Sequence, residues 1–320
     1  MNDVSLATGI FPIALPTPFI VGPVNAFLVK RDPVLLVDTG VGTEESFDAL
    51  TAGLAACGIA LRDVEAILVT HGHIDHIGQL ARLIDESGAK SYAHESVAPH
   101  VGDLHEAEQK SRAFLLNVFH EFGVPQEIIE LTSRARESFK GMAGTPKIDH
   151  VLREGETIFG FEVLHVPGHS SSDTLFVDGQ NRNAITGDHV LKGVNPTPLI
   201  RRDYATGKRV KSLLEYEQSL QRTRLLDLVT MYPGHGSVIT DPGEVIERIL
   251  ARHDRRTQKV LDRIRETPAT PHQVSLTLFP QLPPEHTYLA LSTAIGHLDV
   301  LEKRGEACAN RENGVYSYSA

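Results

Sequence analysis

The feature that most constrains this 320-residue chain is a cluster of histidines at the end of a buried strand. Residues 64–70 (VEAILVT) form an apolar run that predicts a buried strand, and residues 77–87 have the leucine spacing of a helix. Between these elements, residues 70–76 read THGHIDH. The order strand, loop, helix places the histidines at the carboxyl end of a strand, where layered α/β proteins commonly have their active sites.

The HxHxDH pattern of residues 71–76 indicates metal coordination. Imidazole nitrogens bind Zn, Fe, Cu and Ni, and a carboxylate adds a harder oxygen donor. Four such side chains within six residues do not fit around one tetrahedral ion, and alternate residues of an extended turn point in opposite directions. We therefore expect His71 and His73 to face one ion, and Asp75 and His76 to face a second ion about 3.5–4 Å away. The alternative interpretation is a run of solvated polar residues.

Three further segments each place a histidine or an aspartate after a predicted strand. They are PGH at 167–169, GD at 187–188 and PGHG at 233–236, which contribute His169, Asp188 and His235. The adjacent glycines allow the backbone to turn tightly towards an ion. Each segment alone is typical of a turn with a solvated side chain. All three together, behind an HxHxDH string, predict one shared site.

Strands and helices interleave as far as residue 240, which predicts an α/β layered domain over residues 1–240. The predicted strands lie at 24–30, 33–38, 64–70, 157–166, 174–178, 183–187 and 228–232. The predicted helices lie at 43–57, 77–87 and about 209–226. Residues 95–145 are polar with helical spacing, and they predict a helical insertion that serves either as structural cover or as a lid over a substrate pocket.

Together these motifs resemble those of the metallo-β-lactamase superfamily of metal-dependent hydrolases. The strings THGHIDH, PGHSSSD, TGDH and PGHG carry the resemblance, which spans about residues 20–240. It implies a four-layer αββα sandwich with two divalent metal ions, zinc first and iron or manganese as alternatives, at one edge between the sheets. It assigns the ligands as His71, His73 and His169 for the first metal, Asp75, His76 and His235 for the second, and Asp188 as the bridge. Asp38, in LLVDTG, resembles a residue that orients the ligands from behind.

Residues 241–320 predict a small C-terminal domain with helices at 243–266, 271–279 and 285–304 and a final hairpin. Residues 248–305 are similar to the C-terminal winged-helix unit of the β-lactamase-like protein 2 subgroup, some relatives of which cleave single-stranded RNA. Residues 244–320 contain ten basic and ten acidic side chains, so no basic surface for nucleic acid stands out. We therefore favour a packing role or a homodimer contact for this domain.

Composition limits which binding partners and which cellular location we expect. The net charge of −10 makes strong nonspecific binding to a phosphate backbone unfavourable. The first residues lack a basic stretch and contain several prolines, which does not fit a signal peptide, and no apolar run has the ~20 residues of a membrane span. Two cysteines far apart, Cys57 and Cys308, predict free thiols. These features predict a cytoplasmic protein.

The predicted reaction is hydrolysis of a small carbonyl substrate, which is a thioester, lactone, ester or amide, by a metal-bound hydroxide. Asp75 would orient the hydroxide or accept its proton, and His189, Lys192 and Tyr204 are weaker candidates for substrate contacts. The alternative is cleavage of single-stranded RNA, which two metals also support. A redox role is disfavoured because no flavin domain or GxGxxG motif is present.

Overall fold

The structure is a computed structural model that describes residues 8–97, 104–137, 146–194, 196–203 and 205–320. The strands are β1 Ile10–Leu15, β2 Val24–Val29, β3 Leu35–Val37, β4 Ala66–Val69, β5 Lys90–His94, β6 His150–Leu152, β7 Thr157–Ile158, β8 Phe161–His165, β9 Thr174–Asp178, β10 Asn183–Gly187, β11 Thr230–Pro233, β12 Cys308–Glu312 and β13 Val315–Ser319. The helices are α1 Glu44–Ala56, α2 Ile74–Ile77, α3 Leu80–Ser87, α4 Leu104–Glu121, α5 Gln126–Glu137, α6 Ser212–Arg224, α7 Pro242–Glu266, α8 Pro271–Leu278 and α9 Thr287–Arg304.

The chain divides into two compact units. The first comprises residues 1–104, 141–196 and 222–245, and the second comprises residues 105–140, 197–221 and 246–320. All strands from β1 to β11 belong to the first unit, whereas the hairpin β12–β13 belongs to the second.

Two sheets form the centre of the first unit. The first has the order β1-β2-β3-β4-β5-β6, and its strands from β3 onward run parallel. The second has the order β11-β10-β9-β8-β7, with only β10 and β11 parallel. One buried cluster contains residues of both sheets, such as Phe27 and Leu68 from the first and Phe176 and Tyr232 from the second. The two sheets therefore face each other across an apolar core.

The other face of the first sheet is covered by helices. Leu50 and Leu54 of α1 and Leu80 and Leu83 of α3 pack in one cluster with residues of β1, β2 and β4. Local sequence sets the bounds of these helices. The Thr43 side chain accepts a hydrogen bond from the Ser46 amide at the start of α1, and α3 ends at a residue with left-handed backbone, Gly88.

The predicted elements agree with the structure within a few residues at most positions, with three corrections. Residues 157–166 are not one strand but the hairpin β7–β8, because Phe159 and Gly160 both have positive φ at its turn. Strands β1, β5 and β6 were not predicted. The HxHxDH string is not extended throughout, because its second half forms the short helix α2.

The second unit has its own apolar core. Two helices, α4 and α5, occupy the described part of the segment that was predicted as a helical insertion. Val118 and Phe119 of α4 are buried in one cluster with Leu291 and Leu298 of α9. Helix α8 begins at a capping box in which the Thr270 and Gln273 side chains each bond the other's backbone amide. Both cysteines of the chain are free.

Candidate metal centre

The seven side chains predicted as metal ligands come together at one edge of the first unit. Each lies at or just beyond the carboxyl end of a strand. The string 71–76 follows β4, His169 follows β8, Asp188 follows β10, and His235 follows β11. Their nitrogen and oxygen atoms form three overlapping groups whose members lie within 4.8 Å of one another: His71, His73 and His169; His71, His76 and Asp188; and Asp75, His76 and His235.

The first group contains histidines only. The Nδ1 atom of His73 lies 3.0 Å from Nε2 of His71 and 2.9 Å from Nε2 of His169. His71 is fully buried, whereas the His169 side chain is 12% exposed. Three imidazole nitrogens therefore converge on one point that remains reachable from solvent.

The group of Asp75, His76 and His235 joins helix α2 to the loop after β11. His73 is the N-cap of α2, and the helical turn places Asp75 and His76 side by side. The Nε2 atom of His235 lies 3.4 Å from Oδ2 of Asp75. His71 and His73 thus group with His169, and Asp75 and His76 group with His235, because the backbone changes from extended to helical within the string rather than by simple alternation.

Asp188 lies between the group of His71, His73 and His169 and the group of Asp75, His76 and His235. Its Oδ1 is 3.5 Å from Nε2 of His76, and its Oδ2 is 3.5 Å from Nε2 of His169 and 3.6 Å from Nε2 of His235. One carboxylate therefore faces a histidine of the first group and two histidines outside it. This is the position that a bridging ligand between two cations requires.

Asp38 supports the centre from behind, at the end of β3. Its carboxylate accepts hydrogen bonds from the amide and the hydroxyl of Thr70, at 2.8 and 2.7 Å, and lies 2.7 Å from Nδ1 of His76. Asp38 is fully buried and has a positive φ of 60°, an uncommon backbone conformation for a residue with a side chain. The contact with Nδ1 leaves Nε2 of His76 directed towards Asp188.

Two other histidines are oriented in the same way. Nδ1 of His71 lies 3.1 Å from the hydroxyl of Thr70, and Nδ1 of His235 lies 2.8 Å from the carbonyl oxygen of Pro23. A carbonyl oxygen only accepts, so Nδ1 of His235 carries a proton, and Nε2 is the ring atom that faces the centre. These contacts fix the ring atom that each histidine offers to a cation.

The electrostatics of the centre also suit cation binding. Burial lowers the pKa of His71 well below its usual value and that of His73 to about 3, so both rings are neutral donors at pH 7. Burial alone would raise the pKa of Asp188, but His76 and neighbouring histidines hold it well below its usual value. Burial alone would lower the pKa of His76, but Asp38 and other nearby carboxylates raise it well above 6.5. Metal binding requires neutral imidazole and ionised carboxylate, so a cation would displace a proton from His76.

Buried polar atoms that lack a hydrogen-bond partner indicate whether these residues fit a metal ion. Among the described residues, the buried side-chain atoms without a hydrogen-bond partner include Nε2 of His76, Oδ1 of Asp188 and Nε2 of His235. Buried polar atoms are normally paired, because an unpaired one costs about 1–3 kcal/mol. All three belong to the proposed ligand set and face one another. The donor set therefore fits divalent metal ions.

Glycine at position 234 is required by the close approach of the ligands. A Cβ atom there would lie 2.4 Å from Oδ1 of Asp188 and 2.7 Å from Cε1 of His76. No side chain larger than hydrogen fits without moving these two ligands. The Gly in the PGHG string is thus explained by the centre itself.

Sequence reasoning missed two residues that hold the ligand loops. Asn25, in β2, donates from Nδ2 to the carbonyl oxygens of Pro233 and Gly236, both at 2.9 Å, and so holds the loop of His235. Asp173 accepts from the amide and the hydroxyl of Ser170, at 2.8 and 2.6 Å, directly beside His169. The PGHSSSD string contained a signal for Asp173, but nothing local in the sequence marked Asn25.

The three weaker candidates have different outcomes. His189 is fully buried, and its Nε2 lies 2.8 Å from the hydroxyl of Thr223, so its ring faces the interior. Lys192 is 42% exposed and pairs with Asp241 at 3.3 Å. Tyr204 lies outside the described residues. A substrate contact by Lys192 stays a prediction.

Comparison with known proteins decides the family. The family model described as "Metallo-beta-lactamase superfamily" matches residues 20–235, which is more than half of the chain. The chain belongs to the metallo-beta-lactamase superfamily. The matched range contains all seven candidate ligands.

Individual members of the metallo-beta-lactamase superfamily are similar over almost the whole chain. The probable metallo-hydrolase YqjP of Bacillus subtilis is 33% identical over 296 residues, which cover 92% of both chains. A metallo-beta-lactamase family protein of Thermus thermophilus has a solved structure with a TM-score of 0.81 and 26% identity, covering 97% of this chain and 98% of that one. An atrochrysone carboxyl ACP thioesterase of Claviceps purpurea is 27% identical over 71% of this chain and 55% of its own length.

These findings establish a mixed α/β metallo-beta-lactamase fold and an enzyme of the hydrolase class. The similarity to the Thermus protein extends past residue 235, so the helical second unit is shared as well. Among the described residues, no helix has both the length and the apolar character that a membrane span requires.

Proposed function

We propose that this protein hydrolyses a small carbonyl substrate of the thioester class with two divalent metal ions, zinc first. The position of Asp188 carries the metal part of the proposal. Its carboxylate lies within 3.6 Å of His76, His169 and His235, which supports its assignment as a residue that would hold both cations. We assign His71, His73 and His169 to one ion, Asp75, His76 and His235 to the other, and Asp188 to both.

Two cations held in this way would lower the pKa of a bound water to about 7 and polarise a substrate carbonyl. The protein's part is to hold the ligands in place and to move a proton. Asp38 and Thr70 fix the orientation of His76 and His71. This arrangement removes the need to reorganise the centre during each turnover.

Asp75 is the residue that we propose for proton transfer. Its carboxylate lies beside Nε2 of His235 at 3.4 Å, and the side chain is 12% exposed. Burial alone would raise the pKa of Asp75, but His76 and His235 lower it, so the carboxylate is ionised at neutral pH. An ionised carboxylate can accept a proton, and Asp75 would also be one of the residues that hold the second ion.

The thioester class is supported by the Claviceps relative, whose name states this activity. Thioesters, lactones, esters and amides share the carbonyl that such a centre attacks, so the other three remain within the same reaction. The acidic net charge of −10 counts against the RNA alternative. No observation among the described residues favours that alternative over a carbonyl substrate.

We also propose a four-layer αββα arrangement for residues 1–240 and a winged-helix unit for residues 241–320. Helices α7, α8 and α9 and the hairpin β12–β13 have the order of a winged helix. Ala269 exchanges two backbone hydrogen bonds with Tyr318, at 3.0 and 2.9 Å, which form an isolated bridge beside the hairpin. We further propose a cytoplasmic location, a homodimer and zinc as the metal.

A substrate panel tests the proposed function. Zinc-loaded protein is assayed with an acyl-coenzyme A thioester, a lactone, an aryl ester, nitrocefin and a single-stranded RNA, each in parallel with the His73→Ala variant. We expect the highest kcat/KM for the thioester and loss of that activity in the variant. Cleavage of RNA alone, with dependence on His73, would contradict the carbonyl proposal.

A further inference from the structure

The histidine at the end of β8 bonds the loop that carries His169. Nε2 of His165 lies 2.8 Å from the carbonyl oxygen of Ser171. Because a carbonyl oxygen only accepts, Nε2 of His165 donates the proton of this bond. The bond joins residues 165 and 171, and His169 lies in the loop between them. His165 is therefore linked to the ligand by geometry, although it is not itself among the candidate ligands.

A second histidine holds the ring of His165 from the opposite sheet. The rings of His94 and His165 are stacked, with centroids 4.4 Å apart and planes 15° from parallel. His94 is the last residue of β5 and is 5% exposed. Its Nδ1 accepts from the amide of Ser96 at 3.3 Å and lies 2.7 Å from the Ser96 hydroxyl. The ring of His94 is thus held by Ser96, two residues further along the chain.

The charges around the stack are compatible with this role. Burial, together with the neighbouring ring of His165, lowers the pKa of His94 to about 4, so His94 is neutral at pH 7. Arg222 donates to the carbonyl oxygen of His165 at 3.1 Å and pairs with Glu154. The backbone of His165 is therefore held as well as its side chain.

The His169 loop is held by the protein on two sides. Inside the loop, Asp173 binds the amide and hydroxyl of Ser170. From outside, His165 binds the carbonyl of Ser171. Residues 170 and 171 directly follow His169, so both contacts restrict the direction of its ring. Contacts that orient a metal ligand from behind typically change metal affinity 10–100-fold when they are removed.

We infer that His165 is a positioning residue for His169, and that His94 holds the ring of His165 in place by stacking. In this assignment the stacked pair sets the affinity of the ion held by His71, His73 and His169, and it leaves the other ion unaffected. The inference rests on the proposed two-metal function and adds two residues to it. Neither residue touches a metal or the substrate in this scheme.

The test is metal titration of the full chain after chelation, with Zn²⁺ against a competing chromophoric chelator and with Co²⁺ followed by its visible absorption. The variants are His165→Leu, which removes the bond to Ser171, and His165→Gln, which keeps an N–H donor. His94→Ala removes the stacking. The matched control is His150→Leu, because His150 stacks on Tyr92 with similar geometry, 4.5 Å and 16°, elsewhere in the first unit.

We expect His165→Leu to weaken one of the two sites at least about tenfold, with the other within about twofold of wild type. His165→Gln should restore most of the affinity and the Co²⁺ spectrum, His94→Ala should weaken the same site, and His150→Leu should match wild type. If His165→Leu does not fold, as judged by circular dichroism, His165→Gln and His94→Ala carry the test.

Three results would overturn the inference. They are equal affinities in His165→Leu and wild type, equal losses in His165→Gln and His165→Leu, and equal weakening of both sites. A wild-type protein that binds no ion is a different failure, because it removes the two-metal function itself. The wild-type titration therefore separates failure of the proposed function from failure of the inference.

Discussion

Buried histidines occur in both compact units, but their surroundings differ. In the second unit, His297 is 1% exposed, and its Nδ1 lies 2.9 Å from the hydroxyl of Thr257. In the first unit, His76 and His235 are equally buried, yet Nε2 of each has no hydrogen-bond partner among the described residues. The same residue type thus serves packing in one unit and, we propose, ligation in the other. Burial alone does not distinguish the two uses, whereas the direction of the unpaired nitrogen does.

The buried charges show the same contrast. In the second unit, Asp299 is paired with Arg209 through two bonds of 2.6 and 2.7 Å. In the first unit, Oδ1 of the buried Asp188 has no such partner within the part of the chain that the structure describes. A cation from the chain satisfies Asp299, and we propose that a metal ion satisfies Asp188. We therefore expect substitutions in the second unit to change stability, and substitutions in the first unit to change metal binding.

The largest effect is expected from removal of a ligand. His73→Ala should lower kcat/KM by at least about a hundredfold, since it removes the nitrogen on which His71 and His169 converge. The control is His297→Gln in the second unit, which keeps a partner for Thr257 and should leave kcat/KM unchanged. Equal losses in both variants would contradict the division between the two kinds of histidine.

Removing the cation of the second unit should affect stability rather than metal binding. Arg209→Met leaves the carboxylate of Asp299 buried and without its bidentate partner, and it should lower the free energy of unfolding by about 3 kcal/mol. Urea denaturation measures this loss, and mass spectrometry of the metals measures their content. A variant that loses its metals while it remains as stable as wild type would show that the comparison is wrong.

A smaller effect is expected when a contact behind a ligand is weakened. Asp38→Asn keeps the shape of the side chain but replaces one of the oxygens that contact Thr70 and His76 with an N–H₂ donor. Metal affinity should fall about 10–100-fold, with little change in kcat at saturating metal. Isothermal titration with Zn²⁺ checks the affinity. Unchanged affinity would argue against a positioning role for Asp38.

The smallest effect concerns pH. In metal-free protein, His73 has its folded pKa lowered to about 3, below the unfolded value of about 6.5. The neutral form is favoured in the fold, so His73 contributes stability above pH 6.5 that is lost as the pH falls towards 3. The loss of melting temperature of metal-free protein between pH 7 and pH 5 should therefore be smaller in His73→Asn than in wild type, because His76, whose raised pKa acts in the opposite sense, is common to both. An equal loss in the two proteins would indicate that His73 is not buried as a neutral ring.

The convergence of the candidate ligands was more predictable from sequence than the sheets were. The candidate ligands occur in short strings with glycine beside them, and Gly234 shows why, because Asp188 and His76 approach to 2.4 and 2.7 Å of where a Cβ would be. Strand β1 was missed because Pro12 interrupts its apolar pattern. Proline is tolerated there because β1 is an edge strand, a property of the assembled sheet.

Long-range contacts account for the residues that the sequence did not mark. Asn25 holds the His235 loop from more than 200 positions away, and no local pattern predicts that pairing. Strand β5, with the sequence KSYAH, is short and mostly polar, and it becomes a strand through parallel pairing with β4 and β6. Its last residue, His94, takes part in the stacked pair. Such residues gain their roles only when the chain is folded.

The most direct test of the account is an X-ray experiment with anomalous diffraction recorded above and below the absorption edge of the bound metal. We predict two peaks about 3.5–4 Å apart. One should be surrounded by His71, His73 and His169, the other by Asp75, His76 and His235, and the Asp188 carboxylate should contact both. A single peak, or two peaks at other residues of the chain, would contradict the two-metal centre.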